Sequence, residues 1–136
     1  MLESRAALLL TLLVTGCSGA DQEGSLDRTL RFAAEQIAPK NEAVHTYALV
    51  ARRGEADHAF RVMLREGRCY VALAVAEGTV SDVDLRLFDP LGAVAGRTGG
   101  EAPKLELCAQ RSGPYRVKLH VTGRGQVRAG VYERRR

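Results

Sequence analysis

With 136 residues, of which 46% are hydrophobic, the chain has room for one domain with a real core and not for two. Aromatic residues are 5% with no Trp, which leaves little material for a stacking platform. The net charge of +4 comes from 20 basic and 16 acidic residues that are interspersed until Arg134-Arg135-Arg136, a balance that gives no reason to expect a nucleic-acid partner.

Residues 1–16 have a short polar start with Arg5, an apolar run from Ala6 to Val14 and then small residues, the layout of a secretory signal. The run is too short to cross a bilayer, which takes about 20 apolar residues. Leu13-Val14-Thr15-Gly16-Cys17 resembles the lipobox of bacterial lipoproteins. That resemblance implies cleavage before Cys17, a diacylglycerol on its sulfur and a further acyl chain such as palmitate on its amino group, an anchor of several chains that holds where one would not. Ser18 after the cysteine resembles the residue that lets such lipoproteins proceed to the outer membrane. The alternative is an ordinary signal cut after Ser18-Gly19-Ala20, leaving a chain without lipid.

Residues 17–24 are small and polar and read as the lipidated cysteine and a flexible tether. Residues 25–39 then carry Leu26, Leu30, Ala33 and Ile37 at helical spacing, with Ser25 as N-cap, Asp27 in the first turn and Pro39 as the stop. This predicts one short amphipathic helix packed on the domain that follows, since a helix of this length is marginal alone.

Residues 44–133 read as strands separated by turn residues. Val44 to Arg53 is the first; His58 to Arg65 alternates Phe60, Val62 and Leu64 inward with Arg61, Met63 and Arg65 outward. Cys69 to Val75 is apolar without a break and suits a strand buried on both faces. Glu77-Gly78-Thr79 is expected to turn it back into Val83, Leu85 and Leu87 as a hairpin that ends at Asp89-Pro90-Leu91-Gly92. Ala93 to Ala95 reads as a short strand before a loose loop from Gly96 to Pro103, and Lys104 to Cys108 as another strand. Tyr115, Val117, Leu119 and Val121 are expected to form a last hairpin with Val127, Ala129 and Val131 across Gly123-Arg124-Gly125. Such spacing indicates an all-β domain, an antiparallel jelly-roll-like β-sandwich of about seven or eight strands.

The series Phe60-Arg61-Val62, Gly67, Asp82-Val83-Asp84-Leu85-Arg86-Leu87-Phe88-Asp89-Pro90-Leu91-Gly92 and Gly113-Pro114-Tyr115-Arg116-Val117 resembles the bacterial pre-peptidase C-terminal domain family over residues 58–132. That resemblance implies a small jelly-roll-like sandwich that is non-catalytic and in some members binds matrix or calcium. Two departures stand out: the chain holds no protease domain, and a cysteine pair is not general in the family.

Three cysteines are an odd count, which makes sense if Cys17 has a separate fate. Cys69 and Cys108, exported to an oxidising compartment, are expected to form a disulfide. Their parity raises a difficulty: Cys69 alternates with core-facing Val71, Cys108 with outward Lys104 and Glu106, so the bond calls for a strand end or bulge at Cys108. No compact pair of metal-ligand spacing links these cysteines to His58 and His120, so no metal or other cofactor is expected.

No activated nucleophile is readable around His45, His58 or His120, and no Gly-rich phosphate loop is present in the sequence. Glu77, Asp82, Asp84 and Asp89 read as solvated turn and strand-end residues rather than as a calcium site. Arg61, Arg65, Arg86, Arg116, Lys118 and Arg128 share outward parity; on one sheet they would make a basic face for an anionic partner. The expected function is therefore that of a non-catalytic protein of the bacterial cell envelope, lipid-anchored in the outer membrane through Cys17, whose sandwich binds an envelope protein or an anionic polysaccharide. A small secreted hydrolase or inhibitor with an unrecognised site is the alternative.

Overall fold

The computed structural model describes residues 19–52 and 54–136, with side chains from residue 24 onward; Cys17 and the leader lie outside them. One helix, α1 (Gly19–Ile37), precedes eight strands: β1 (Asn41–Ala51), β2 (Glu55–Leu64), β3 (Cys69–Ala76), β4 (Asp82–Phe88), β5 (Val94–Thr98), β6 (Lys104–Cys108), β7 (Gly113–Thr122) and β8 (Gly125–Arg134). They form two four-stranded sheets, sheet I in the order β1-β8-β3-β6 and sheet II in the order β2-β7-β4-β5. Every pairing is antiparallel. The fold is the expected all-β jelly-roll sandwich with one helix.

The hairpins expected at 69–87 and 115–131 are not hairpins. β3 lies in sheet I and β4 in sheet II, and β7 and β8 are divided in the same way. Each pair is joined by an arch that crosses from one sheet to the other; only β4 and β5 are both consecutive and paired among the described residues. The two arches bond to each other: Glu77 N–H donates to Gln126 O at 3.0 Å, Thr79 N–H to Arg124 O at 2.8 Å and Ser81 N–H to Thr122 O at 2.9 Å. They approach so closely that a Cβ at Gly123 would overlap the Thr79 carbonyl oxygen, and one at Gly125 the Glu77 carbonyl oxygen. Both glycines also hold positive φ, 109° and 148°. Alternation and a glycine turn are shared by hairpins and arches, so local pattern does not separate them.

The sandwich core is filled from alternate positions: Phe60, Val62 and Leu64 of β2, Val83, Leu85 and Leu87 of β4, and Tyr115, Val117, Leu119 and Val121 of β7 on one side. Leu49 of β1, Tyr70, Ala72 and Ala74 of β3, and Val127, Ala129 and Val131 of β8 meet them from the other. The remaining positions of β3 form a second core. Val71, Leu73 and Val75, with Tyr132 of β8, pack under Leu26, Leu30, Ala34 and Ala38 of α1 and its C-terminal end. Burying Leu30 there contributes roughly 1.5–3 kcal/mol.

The helix thus packs on the domain as expected, but it begins at Gly19, not Ser25, and takes up most of the expected tether. Once tertiary packing has nucleated the turns at Leu26 and Leu30, each further residue adds one hydrogen bond at little cost. Ser25 lies inside the helix, where its carbonyl accepts the Thr29 hydroxyl. At the other end Asn41 Nδ2 donates to Ala38 O at 2.7 Å, just past Pro39.

The second core also removes the cysteine difficulty. Val71 faces the helix rather than the sandwich interior, so Cys69 points to the outer side of sheet I, and so does Cys108 beyond Lys104 and Glu106. The two stand opposite each other in the β3–β6 register, Cα atoms 3.9 Å apart, and are bonded. No bulge is needed at Cys108. On the chain-entropy account a loop of this length contributes about 4 kcal/mol. Reduction, or Cys69→Ser/Cys108→Ser, should lower the unfolding free energy by about 2–4 kcal/mol in urea titration. An unchanged midpoint, or alkylation of both thiols in the unreduced native protein, would refute a structural role.

Candidate functional site

The outer face of sheet I is covered by α1 over β3 and β8, whereas no described element covers the outer face of sheet II. Its side chains come in cross-strand rows fixed by register. Asp57, His120 and Asp84 form the first row; Ala59, Lys118, Arg86 and Arg97 the second; Arg61, Arg116, Phe88 and Val94 the third; Met63 and Pro114 follow. Directly paired residues project to the same side, so five cations share one exposed face.

Four of the six expected basic residues are among them: Arg61, Arg86, Arg116 and Lys118. Arg65 follows the end of β2, exposed in a turn in which its N–H donates to Tyr70 Oη at 2.8 Å. Arg128 contradicts the expectation. Its parity is outward, but from β8 of sheet I, where the helix covers it and leaves it 7% exposed. There its Nε donates to Asp27 Oδ1 of α1 at 3.0 Å, and its other nitrogens to Val127 O and Gln126 Oε1 at 3.3 Å. It ties the helix to the sheet. Arg97, the fifth cation, was hidden in a Gly-rich stretch that read as loop; the faint alternation of Val94, Gly96 and Thr98 was its only signal.

The charges are not spread evenly. In the first row His120 Nδ1 donates to Asp57 Oδ1 at 2.7 Å, and Arg86 reaches Asp84 Oδ2 at 3.2 Å. These residues and Lys118 surround a depression of about 280 Å³. No hydroxyl or thiol lines it, so the His–Asp pair has no nucleophile there to activate. Among the described residues no group of three or more His, Cys, Asp and Glu is placed to hold a metal ion. The acidic residues Glu77, Asp82, Asp84 and Asp89 do not gather: Asp82 and Asp84 begin β4, Asp89 follows its far end, and Glu77 sits in the arch before it. Asp82 Oδ1 accepts Gly100 N–H, and Asp89 Oδ1 accepts the N–H groups of Leu91 and Ala93, each at 2.9 Å.

In the third row the Arg116 guanidinium lies 5.1 Å over the Phe88 ring. Arg61, Arg116, Phe88, Pro90 and Pro114 line a second, wider depression at this end of the face. The other two histidines are accounted for by packing at the β1–β2 edge. Tyr47 stacks on Phe60 at 5.0 Å, His45 lies 5.2 Å from the same ring, and His58 6.4 Å from Tyr47.

An eight-stranded jelly roll with one face capped by a helix and the other open and basic is the class of domain that fold and site define. No protein-family model matches the chain, and no curated protein does. Among solved structures, TmCBM61 in complex with β-1,4-galactotriose is similar, with 13% identity over 79% of this chain and 97% of that chain and a TM-score of 0.41, too distant a likeness to carry over a ligand.

The hydrogen bond to Asp57 raises the His120 pKa above its ordinary value, and the same bond lowers that of Asp57. For His120 the stabilisation is complete below about pH 6.5 and is lost as pH rises through the raised value; for Asp57 it is present above about pH 3.9 and lost as pH falls through the lowered one. Proton NMR of the ring should show Asp57→Asn moving the His120 midpoint down toward that of free imidazole. A midpoint indifferent to the substitution would mean that the pair does not form in solution.

Proposed function

We propose that the chain is a non-catalytic, lipid-anchored protein of the bacterial cell envelope whose sandwich binds an anionic envelope partner through the outer face of sheet II. The observation that carries the binding part is the register that sets Arg61, Arg86, Arg97, Arg116 and Lys118 on one uncovered sheet face. Among the described residues, only Arg86 of the five is in an ion pair. A sheet face with unpaired cations attracts polyanions over a Debye length, about 8 Å at physiological salt.

The proposal extends to the two family resemblances. Supporting a domain of the pre-peptidase C-terminal kind, the residues that carry the likeness have turn-forming roles here: Asp89 closes the β4–β5 turn through its carboxylate, Gly92 in it holds φ 84°, and Tyr115 Oη donates to Arg111 O at 2.9 Å. Supporting the anchor is the lipobox-like segment before Cys17. Since α1 starts two residues after Cys17, the sandwich would stand close to the outer membrane on a packed helix rather than swing on a tether.

Two measurements test this. Mass spectrometry of the protein from its host should find Cys17 as the amino terminus, carrying diacylglycerol and an acyl chain; an unmodified chain starting at Asp21 would overturn the anchor. Retention on anionic envelope material should fall as salt rises and fall again in Arg116→Glu/Lys118→Glu. Indifference to both would remove the basic face.

A further inference from the structure

The open face of sheet II changes character along its strands. At the end where β2 and β7 meet Asp57 and His120, cations alternate with carboxylates. At the other end the face is apolar as well as basic: Met63 is 67% exposed and Val94 58%, on either side of half-buried Phe88. Arg61 and Arg116 stand among them, and neither is in an ion pair among the described residues. Register sets Met63 opposite Pro114 and Val94 opposite Phe88, so two exposed apolar side chains flank the two arginines. Asp89 beside it is held by backbone N–H groups of its own turn.

The patch also lies at the end of the sandwich away from the start of α1. Asp27 near the helix start contacts Arg128, which pairs with Val75 at the end of β3, and Arg134 reaches Ile37 O at the helix end. The helix therefore runs antiparallel to β3, and its start is at the end of the sandwich that holds the arches. Met63, Phe88 and Pro114 lie at the opposite end, with the turns after β2 and β4.

We infer that this distal patch, formed by Arg61, Met63, Phe88, Val94 and Arg116, docks an acidic protein segment that carries apolar side chains between its carboxylates. The inference rests on the reading of sheet II as the binding face and narrows it to one end and one class of partner. Charge complementarity requires carboxylates opposite Arg61 and Arg116. The apolar side chains separate protein from polysaccharide: removing Met63 and Val94 from water favours a partner with apolar groups of its own, which covers them without stranding hydroxyls. The residue types agree, since Arg, Met and aromatic residues are enriched in protein interfaces whereas Lys, which stands in the next row as Lys118, is depleted.

The test uses the full chain and three fluorescent probes of equal charge: a peptide alternating Glu with Leu, an oligoglutamate and an oligogalacturonate, read by anisotropy at physiological salt. The alternating peptide should bind most tightly. Arg61→Glu/Arg116→Glu and, separately, Met63→Ser/Val94→Ser should each weaken it at least about tenfold, while Arg31→Glu on the exposed side of α1, across the sandwich, changes it less than threefold. Met63 and Val94 are exposed, so Met63→Ser/Val94→Ser should keep the thermal midpoint. Equal binding of oligogalacturonate, lost on reversal of Arg61 and Arg116 but indifferent to Met63→Ser/Val94→Ser, would overturn the inference and leave the basic-face reading standing. Binding of none of the probes would overturn both.

Discussion

The hydrogen-bonded contact between the two arches is the constraint on which the rest of the molecule depends. Because the β3–β4 arch pairs with the β7–β8 arch, the β3/β8 ladder of sheet I passes without a break into the β4/β7 ladder of sheet II. The two sheets are therefore one bent ribbon, widened on each side by an outer strand. Register set in one sheet is transmitted to the other, and a slip of one residue would turn Arg86, Arg116 and Lys118 into the core and Leu85, Val117 and Leu119 out to water. The contact exists only because Gly123 and Gly125 present no Cβ to the carbonyls opposite.

From that ribbon follows an asymmetry between the faces. In the middle of sheet I, β3 is apolar on both sides, with Tyr132 of β8 beside its outer side, which demands a second layer, and α1 supplies it. Their partners in sheet II are apolar on one side only. The ion pair of Arg128 with Asp27 fits this arrangement: a cation under a helix tolerates burial only where an acid and carbonyls meet it. The same residue type on sheet II needs no partner and is left with free charge.

How much of this was legible in the sequence depended on the range of each interaction. Strand positions, the core parity of β2, β4 and β7 and the helix were readable, because each rests on alternation or spacing within about ten residues; the disulfide pair, 39 residues apart, was readable from the odd cysteine count once Cys17 was set aside. The arches were not, since what separates an arch from a hairpin is the identity of the neighbouring strand, thirty or more residues away. Arg128 shows the same limit: its parity was correct, but whether outward means solvent depended on a helix a hundred residues earlier. The cysteine parity conflict arose because Val71 was assigned to the nearer of two cores. Arg97 was missed because Gly96, Gly99 and Gly100 around it read as breakers, although Gly96 is inside a strand, where Leu105 fills the space its side chain would take.

The polar residues that look like ligands in the sequence mostly serve the backbone. Asp82 and Asp89 accept N–H groups of nearby loops, Tyr115 satisfies a carbonyl, Ser112 accepts the Glu66 N–H, and Asp57 is joined to His120. Each of these bonds other than the Asp57–His120 pair fixes a turn whose own backbone groups would otherwise be unsatisfied. What remains uncommitted on the open face is cationic and apolar: Arg61, Arg97, Arg116 and Lys118, with Met63 and Val94. The imidazole on that face, His120, is held by Asp57, and no hydroxyl or thiol lines the depression beside it. Recognition needs only charge and area, and those are what the sandwich leaves exposed.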